Sequence, residues 1–172
     1  ADALGFAGVF ASGYYQGCAE GAMEQYFEVA IAAQNGVRAA RIARHGGVAS
    51  TQALEGANGF FRAFTGATEN AKQVVDGLGD SYEIRSVMSK PYATPHSNHD
   101  PIDLATELAG QVGEPASIRY GILRVSASSR NTAGKDNLPP FHNHNMAQMS
   151  LRFCVASALL GRPVRSFEYF RD

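Results

Sequence analysis

The chain has 172 residues, a formal net charge of −1 and a pI near 6.6. That length suffices for one hydrophobic core of ordinary size, and the near-neutral charge excludes the basic footprint of a nucleic-acid or anionic-lipid binder. No apolar run is long enough to span a bilayer, and no signal-peptide pattern opens the sequence. The two cysteines, Cys18 and Cys154, form no Cys-x-x-Cys pair, so they read as reduced thiols of a cytoplasmic protein, with a disulfide as the alternative that no pattern supports.

The first half reads as helix. Residues 1–12 are rich in Ala and Gly with Leu4, Phe6, Val9 and Phe10 apolar, and Gly17 and Gly21 loosen the chain before the next helix. Residues 23–44 are strong helix formers. Val29, Ala33, Val37 and Ala40 recur there at helical spacing as one apolar stripe, which needs covering helices. Gly36 lies mid-helix, and close backbone packing is the expected compensation for its cost of about 1 kcal/mol. His45, Gly46 and Gly47 end the helix. Thr68 is placed to cap a short helix running to Asp76.

The pattern then changes. Tyr82, Ile84 and Ser86 alternate with Glu83, Arg85 and Val87 as in a strand, and residues 118–125 and 164–170 read as two more. Between the first two strands lies the most informative stretch, KPYATPHSNHDPID over residues 90–103. Asp100 reads as an N-cap, Pro101 as the first helical residue and Asp103 as the acidic partner, opening a helix to about Gln111. The last helix is expected from Asn145 to Leu160, with Met146, Met149, Phe153, Ala156 and Leu160 on one core face and Cys154 buried and inert beside them. The fold class is therefore α followed by α/β. A helical domain over residues 1–88 joins a smaller α+β lid over residues 89–172.

Lys90, Tyr92, His96 and His99 put a cation, a phenol and two imidazoles on one loop at a helix start, where exposed N–H groups attract carboxylates. His99 suits general acid–base work because the ordinary imidazole pKa lies near neutral pH. Its alternative role is to satisfy a backbone carbonyl. Lys90 is either a point charge for a substrate carboxylate or a solvated lysine at a strand end. Tyr92 either packs or donates a proton. Arg130 and Lys135 lie in a polar segment as carboxylate ligands or solvated loop residues. His96, His99, His142 and His144 raise the question of zinc, but no recognised zinc spacing holds them, and a polar loop is the preferred reading.

Four segments also carry a family likeness, in family order: AAQNGVRAARIARHG at 32–46, Leu54-Glu55-Gly56 with Gly59-Phe60, Tyr82-Glu83-Ile84 followed by Lys90-Pro91-Tyr92, His99 and Asp103, and SLRFCVASALLG at 150–161. In these the chain resembles the MmgE/PrpD proteins, among them 2-methylcitrate dehydratase, cis-aconitate decarboxylase and iminodisuccinate epimerase. The resemblance implies a homodimer of two-domain subunits. It also implies acid–base chemistry on a small di- or tricarboxylic acid, without metal or organic cofactor. His99 matches the family's lid-side histidine. Lys90 and Tyr92 complete the implied catalytic set, with His96, Gln25 and Arg130 against the substrate. Dehydration is the commonest family outcome. Family members are much longer, which implies a partial chain. Gln25 stands where the family carries an active-site lysine, and Gln is neither a cation nor a base at neutral pH. A non-catalytic carboxylate binder or partner subunit is the alternative.

Overall fold

In the computed structural model, which describes residues 1–69 and 71–171, the chain forms two compact units. One comprises Ala1–Gly13 with Tyr26–Met88, the other Tyr14–Gln25 with Ser89–Asp172. Residues 14–25 thus belong with the second half of the sequence.

Within the first unit, α1 (Asp2–Val9) is held by its own first residue, where the Asp2 carboxylate accepts from the Ala49 amide at 3.0 Å. Helix α3 (Glu24–Arg44) follows in sequence after α2 (Gln16–Glu20) of the other unit. Inside the first unit, α3 meets the end of α1 through Asn35, whose amide donates to the Phe10 carbonyl at 3.0 Å. Arg38 lies over the Phe10 ring at 5.7 Å. The chain leaves α3 at Gly46, where φ is +87°, a conformation that costs glycine nothing and L side chains much more. Only Ala39 of α3 is buried; Val29 and Val37 are exposed, and Gly36 has open space where a Cβ would stand. The close packing expected at Gly36 is therefore absent. Helix α4 (Phe60–Thr65) clusters three rings, Phe60, Phe61 and Phe64. The helix expected after Thr68 is a short 3-10 turn, Ala71–Val75.

The expected α/β lid is overturned. Among the described residues no sheet forms, and the sole bridge is Leu78 with Ser81. Residues 83–86 are a 3-10 turn, 118–125 carry no helix or strand, and the third expected strand becomes a turn leading to a helix at Glu168–Arg171. Alternation marks a segment able to lie on a sheet, but a strand exists only where a second one takes up its N–H and C=O groups. Here none lies alongside. Tyr120 and Ile122 are exposed, and no backbone hydrogen bond engages residues 118–125 among the described ones.

The second unit is built on two helices instead. Helix α5 (His99–Ala109) packs on α8 (Leu151–Leu159); the short α6 (Ala127–Arg130) comes between them in sequence, and α7 (His144–Met149) lies immediately before α8. Ile102 and Ala105 of α5, one turn apart, meet Leu151, Cys154, Val155 and Ala158 of α8, and Tyr92, Val164 and Phe170 close the core. The last helix is not continuous as the sequence suggests. Ser150 adopts an extended ψ of 109° and starts a new helix, its hydroxyl accepting from the Phe153 amide at 3.2 Å and donating to the Asn137 carbonyl at 2.7 Å. This break rotates the register, so Cys154 and Ala158 face inward, whereas Ala156 and Leu160 face out. Helix α2 ends at Gly21, φ +70°, where a Cβ would fall 2.8 Å from the Met146 Cα; both backbone hand and space require glycine there.

Candidate functional site

The loop before α5 delivers the site. A 3-10 turn over His96–Asn98 leads directly into α5, so the helix starts at His99, with Asn98 and not Asp100 at its N-cap. Asp100 and Pro101 lie inside the first turn, where a proline is tolerated because its missing N–H would have no helical partner anyway. Asn98 makes no capping bond, because its amide points inward, 3.5 Å from the Met149 carbonyl and 3.9 Å from Cys154 Sγ. Its Oδ1 is buried and has no partner among the described residues.

His99 is 5% exposed. Its Nε2 lies 3.4 Å from the Thr94 carbonyl. The tautomer that donates there leaves Nδ1 with a lone pair. Burial pushes the His99 pKa below the ordinary value, and the nearby His96 and Lys90 push the same way, while the Thr94 bond and Asp103 oppose them. At neutral pH the ring is a neutral base. The rings of Tyr92 and His96 approach it, with centroids 5.4 Å and 5.1 Å away.

Tyr92 is buried, and its hydroxyl donates to the Asp103 carboxylate one turn into α5. Burial first, and then the Asp103 bond, raise its pKa above the ordinary phenol value. The phenol proton is thereby held by Asp103, which favours an orienting role over proton donation. On the other side of the phenol oxygen stands Arg165, its Nη2 donating at 3.5 Å and its guanidinium 5.0 Å above the Tyr92 ring.

The remaining candidates divide. Lys90 is exposed, and its charge is felt at His99. His96 is exposed beside His99. Gln25 stands apart in an amide network, accepting from Cys18 Sγ at 2.9 Å and donating to Asn145, whose own amide donates to Ala22. Arg130 is exposed at the end of the short helix Ala127–Arg130. Lys135, expected either in solvent or at the cleft, is instead 3% exposed, its Nζ donating to the Ser97 carbonyl at 3.0 Å and to the Ser129 hydroxyl. It ties the His96–Asn98 turn from behind, and burial lowers its pKa. Beside it, Cys154 is fully buried with its pKa pushed up to about 12 by desolvation, an inert thiol. Among the described residues no three His, Cys, Asp or Glu side chains converge as a metal site would require.

Sequence reasoning missed Arg165 and the anchoring role of Lys135. Arg165 lies 73 residues from Tyr92, and Lys135 lies 38 from Ser97, and no local pattern links such pairs. No helix among the described residues is long and apolar enough to cross a membrane. No known family model, curated protein or solved structure matches the chain.

Proposed function

We propose that this chain belongs to an MmgE/PrpD-type enzyme that removes a proton beside a carboxylate of a small di- or tricarboxylic acid, with dehydration as the leading outcome. The observation that carries the reading is the state of His99. It is a desolvated imidazole, neutral at working pH and oriented by the Thr94 carbonyl, with a second histidine and a phenol–carboxylate pair against it.

The chemistry rests on these parts. Abstraction beside a carboxylate requires a base whose pKa lies near the operating pH and positive charge where the substrate becomes enolate-like. His99 Nδ1 takes the proton. Lys90 and His96, both exposed on the same loop, supply charge and a second proton-transfer group toward solvent. Tyr92, fixed by Asp103, holds the His99 ring edge-on. Two thiols outside any disulfide accord with a cytoplasmic location, and the family likeness carries the proposal of a homodimer.

Gln25 favours a second reading. It occupies the position of the family's lysine and is engaged with Cys18 and Asn145, as suits a carboxylate-binding or partner-subunit relative without turnover. One experiment separates the two. Citrate-like and aspartate-like acids are incubated with the protein in D₂O and followed by proton NMR. Deuterium entering the carbon beside a carboxylate, and falling about 10²- to 10⁴-fold in His99→Ala, supports the enzyme. Thermal stabilisation by an acid without exchange supports the binder. Exchange unchanged in His99→Ala refutes the role of His99.

A further inference from the structure

We propose that residues 118–125 are a docking strand, which binds an extended acidic segment of a partner protein by β-strand addition. The inference goes beyond the acid–base reading and stands on a different part of the second unit.

These eight residues, IRYGILRV, form neither helix nor strand. Among the described residues none of their backbone N–H or C=O groups is hydrogen-bonded within the protein. No proline interrupts them, so every residue carries both a donor and an acceptor. Ile118, Tyr120, Ile122 and Val125 are of the types that favour strands. Tyr120 and Ile122 share one face of an extended chain and are 79% and 68% exposed. Between them a Cβ on Gly121 would meet nothing within 4 Å, which leaves room for a second backbone to approach.

The segment is moored at both ends. At its start Ser117 closes a 3-10 turn, its amide and hydroxyl donating to the Glu114 carbonyl at 2.9 Å and 2.7 Å. At its end Val125 packs against the α5–α8 core, and the Ser126 hydroxyl caps α6 by accepting from the Ser129 amide at 3.1 Å. The Ser129 hydroxyl donates to the Ser97 carbonyl at 3.3 Å and accepts from the buried Lys135. A segment fixed at both ends loses less freedom on pairing than a free tail does. Its unpaired ladder groups are the template that strand addition uses.

Charge selects the occupant. Between Glu114 and Asp136 the chain carries Arg119, Arg124, Arg130 and Lys135 and no acidic residue. Lys135 is spent inside the unit. Arg119 and Arg124 are exposed, and among the described residues neither forms an ion pair. Two registers pair all eight residues with a second copy of the segment, and both fail on these charges. The antiparallel one sets Arg119 against Arg124 at two points, and the parallel one sets each arginine beside its own copy. Like charges directly opposite destabilise a ladder. A partner strand with Asp or Glu facing both arginines, five positions apart, and apolar residues facing Tyr120 and Ile122 makes both points attractive.

The test uses the whole chain and two end-blocked, fluorescein-labelled peptides, TETVTVET and TKTVTVKT. Paired antiparallel, each places its charges opposite Arg119 and Arg124 and its valines opposite Tyr120 and Ile122. Fluorescence anisotropy gives affinity, amide hydrogen exchange read by mass spectrometry gives pairing, and far-UV circular dichroism verifies folding. Wild type is expected to bind the Glu peptide at least tenfold more tightly than the Lys peptide, with exchange slowed at residues 118–125. The double variant Arg119→Glu/Arg124→Glu should reverse that preference, and Ile122→Pro, which removes a ladder N–H, should weaken the Glu peptide at least tenfold. Should the proline variant fail to fold, the charge-reversed one decides alone. Equal affinity for the two peptides, or no binding of either, overturns the proposal. Binding without slowed exchange shows charge attraction in place of strand addition and overturns it as well. A wild-type dimer in sedimentation that Ile122→Pro disperses assigns the segment to a second copy and overturns the acidic partner.

Discussion

Replacing Tyr92 by Phe isolates one oxygen in the site. The ring is 4% exposed, so Phe keeps its packing, its edge contact with His99 and the cation above it. What is lost is the bond donated to Asp103 and the longer one received from Arg165. A hydrogen bond to a charged acceptor contributes about 1.5–3 kcal/mol when both partners are shielded. Asp103 is exposed, so water takes the place of the phenol at its carboxylate, and the expected loss falls to about 1 kcal/mol. The assay is urea unfolding followed by far-UV circular dichroism, since the chain contains no Trp. A double-mutant cycle with Asp103→Ala should return a coupling of about 1 kcal/mol. The sign against pH is fixed as well. The Tyr92 pKa is raised above 10.0 in the folded protein, so above that pH the unfolded chain releases its proton first and stability falls as pH rises. The Phe variant lacks this fall, and its deficit should shrink on the alkaline side. A coupling below about 0.3 kcal/mol, inside the additivity of independent sites, would refute the network.

Three further outcomes are expected from the same contacts. Ile102→Ala, at a side chain with no exposure between α5 and α8, should cost about 2–5 kcal/mol in the same denaturation assay; a cost below about 1 kcal/mol would mean that the two helices close over the gap. His99 has its folded pKa lowered from 6.5, so below that pH the unfolded chain binds the proton first and stability drops as pH falls. His99→Gln should flatten this acid limb relative to wild type, and parallel limbs would show the ring to be solvated. Brief trypsin treatment should cut first after Arg119 and Arg124, which lie in exposed chain that makes no backbone hydrogen bond among the described residues; mass spectrometry showing those bonds intact while Arg152 in α8 is cut would contradict the open segment.

How much of the fold was legible depended on whether the deciding partner lay nearby in sequence. Helix α3 is legible to within a residue because its signals are local, a run of helix formers ended by Gly46. The local signals place the start of helix α5 two residues late. Asp100-Pro101 imitates a helix start, but the inward turn of the Asn98 amide, set by Met149 and Cys154 some fifty residues on, fixes the true boundary. The strands failed for the opposite reason. Residues 118–125 carry the alternation of a strand, and among the described residues nothing pairs with them. The break at Ser150 escaped because its cause, the Asn137 carbonyl that takes its hydroxyl proton, lies in an irregular loop.

The same rule sorts the site residues, and it sorts them by role. Tyr92, His96 and His99 share one loop and stand together, as their closeness in sequence suggested. The groups that position them come from afar: Lys135 ties the turn from behind, and Arg165 crosses the phenol face. A motif can display a cluster of candidate reactive groups because a short loop suffices to present them. It cannot display what keeps the loop from moving, since that requires a second element with its own reason to be there. In this chain the second element is the α5–α8 core, which buries Ile102 and Cys154. The start of α5 is therefore a fixed point, and His99, its first residue, takes its place from hydrophobic packing rather than from the polar loop that contains it.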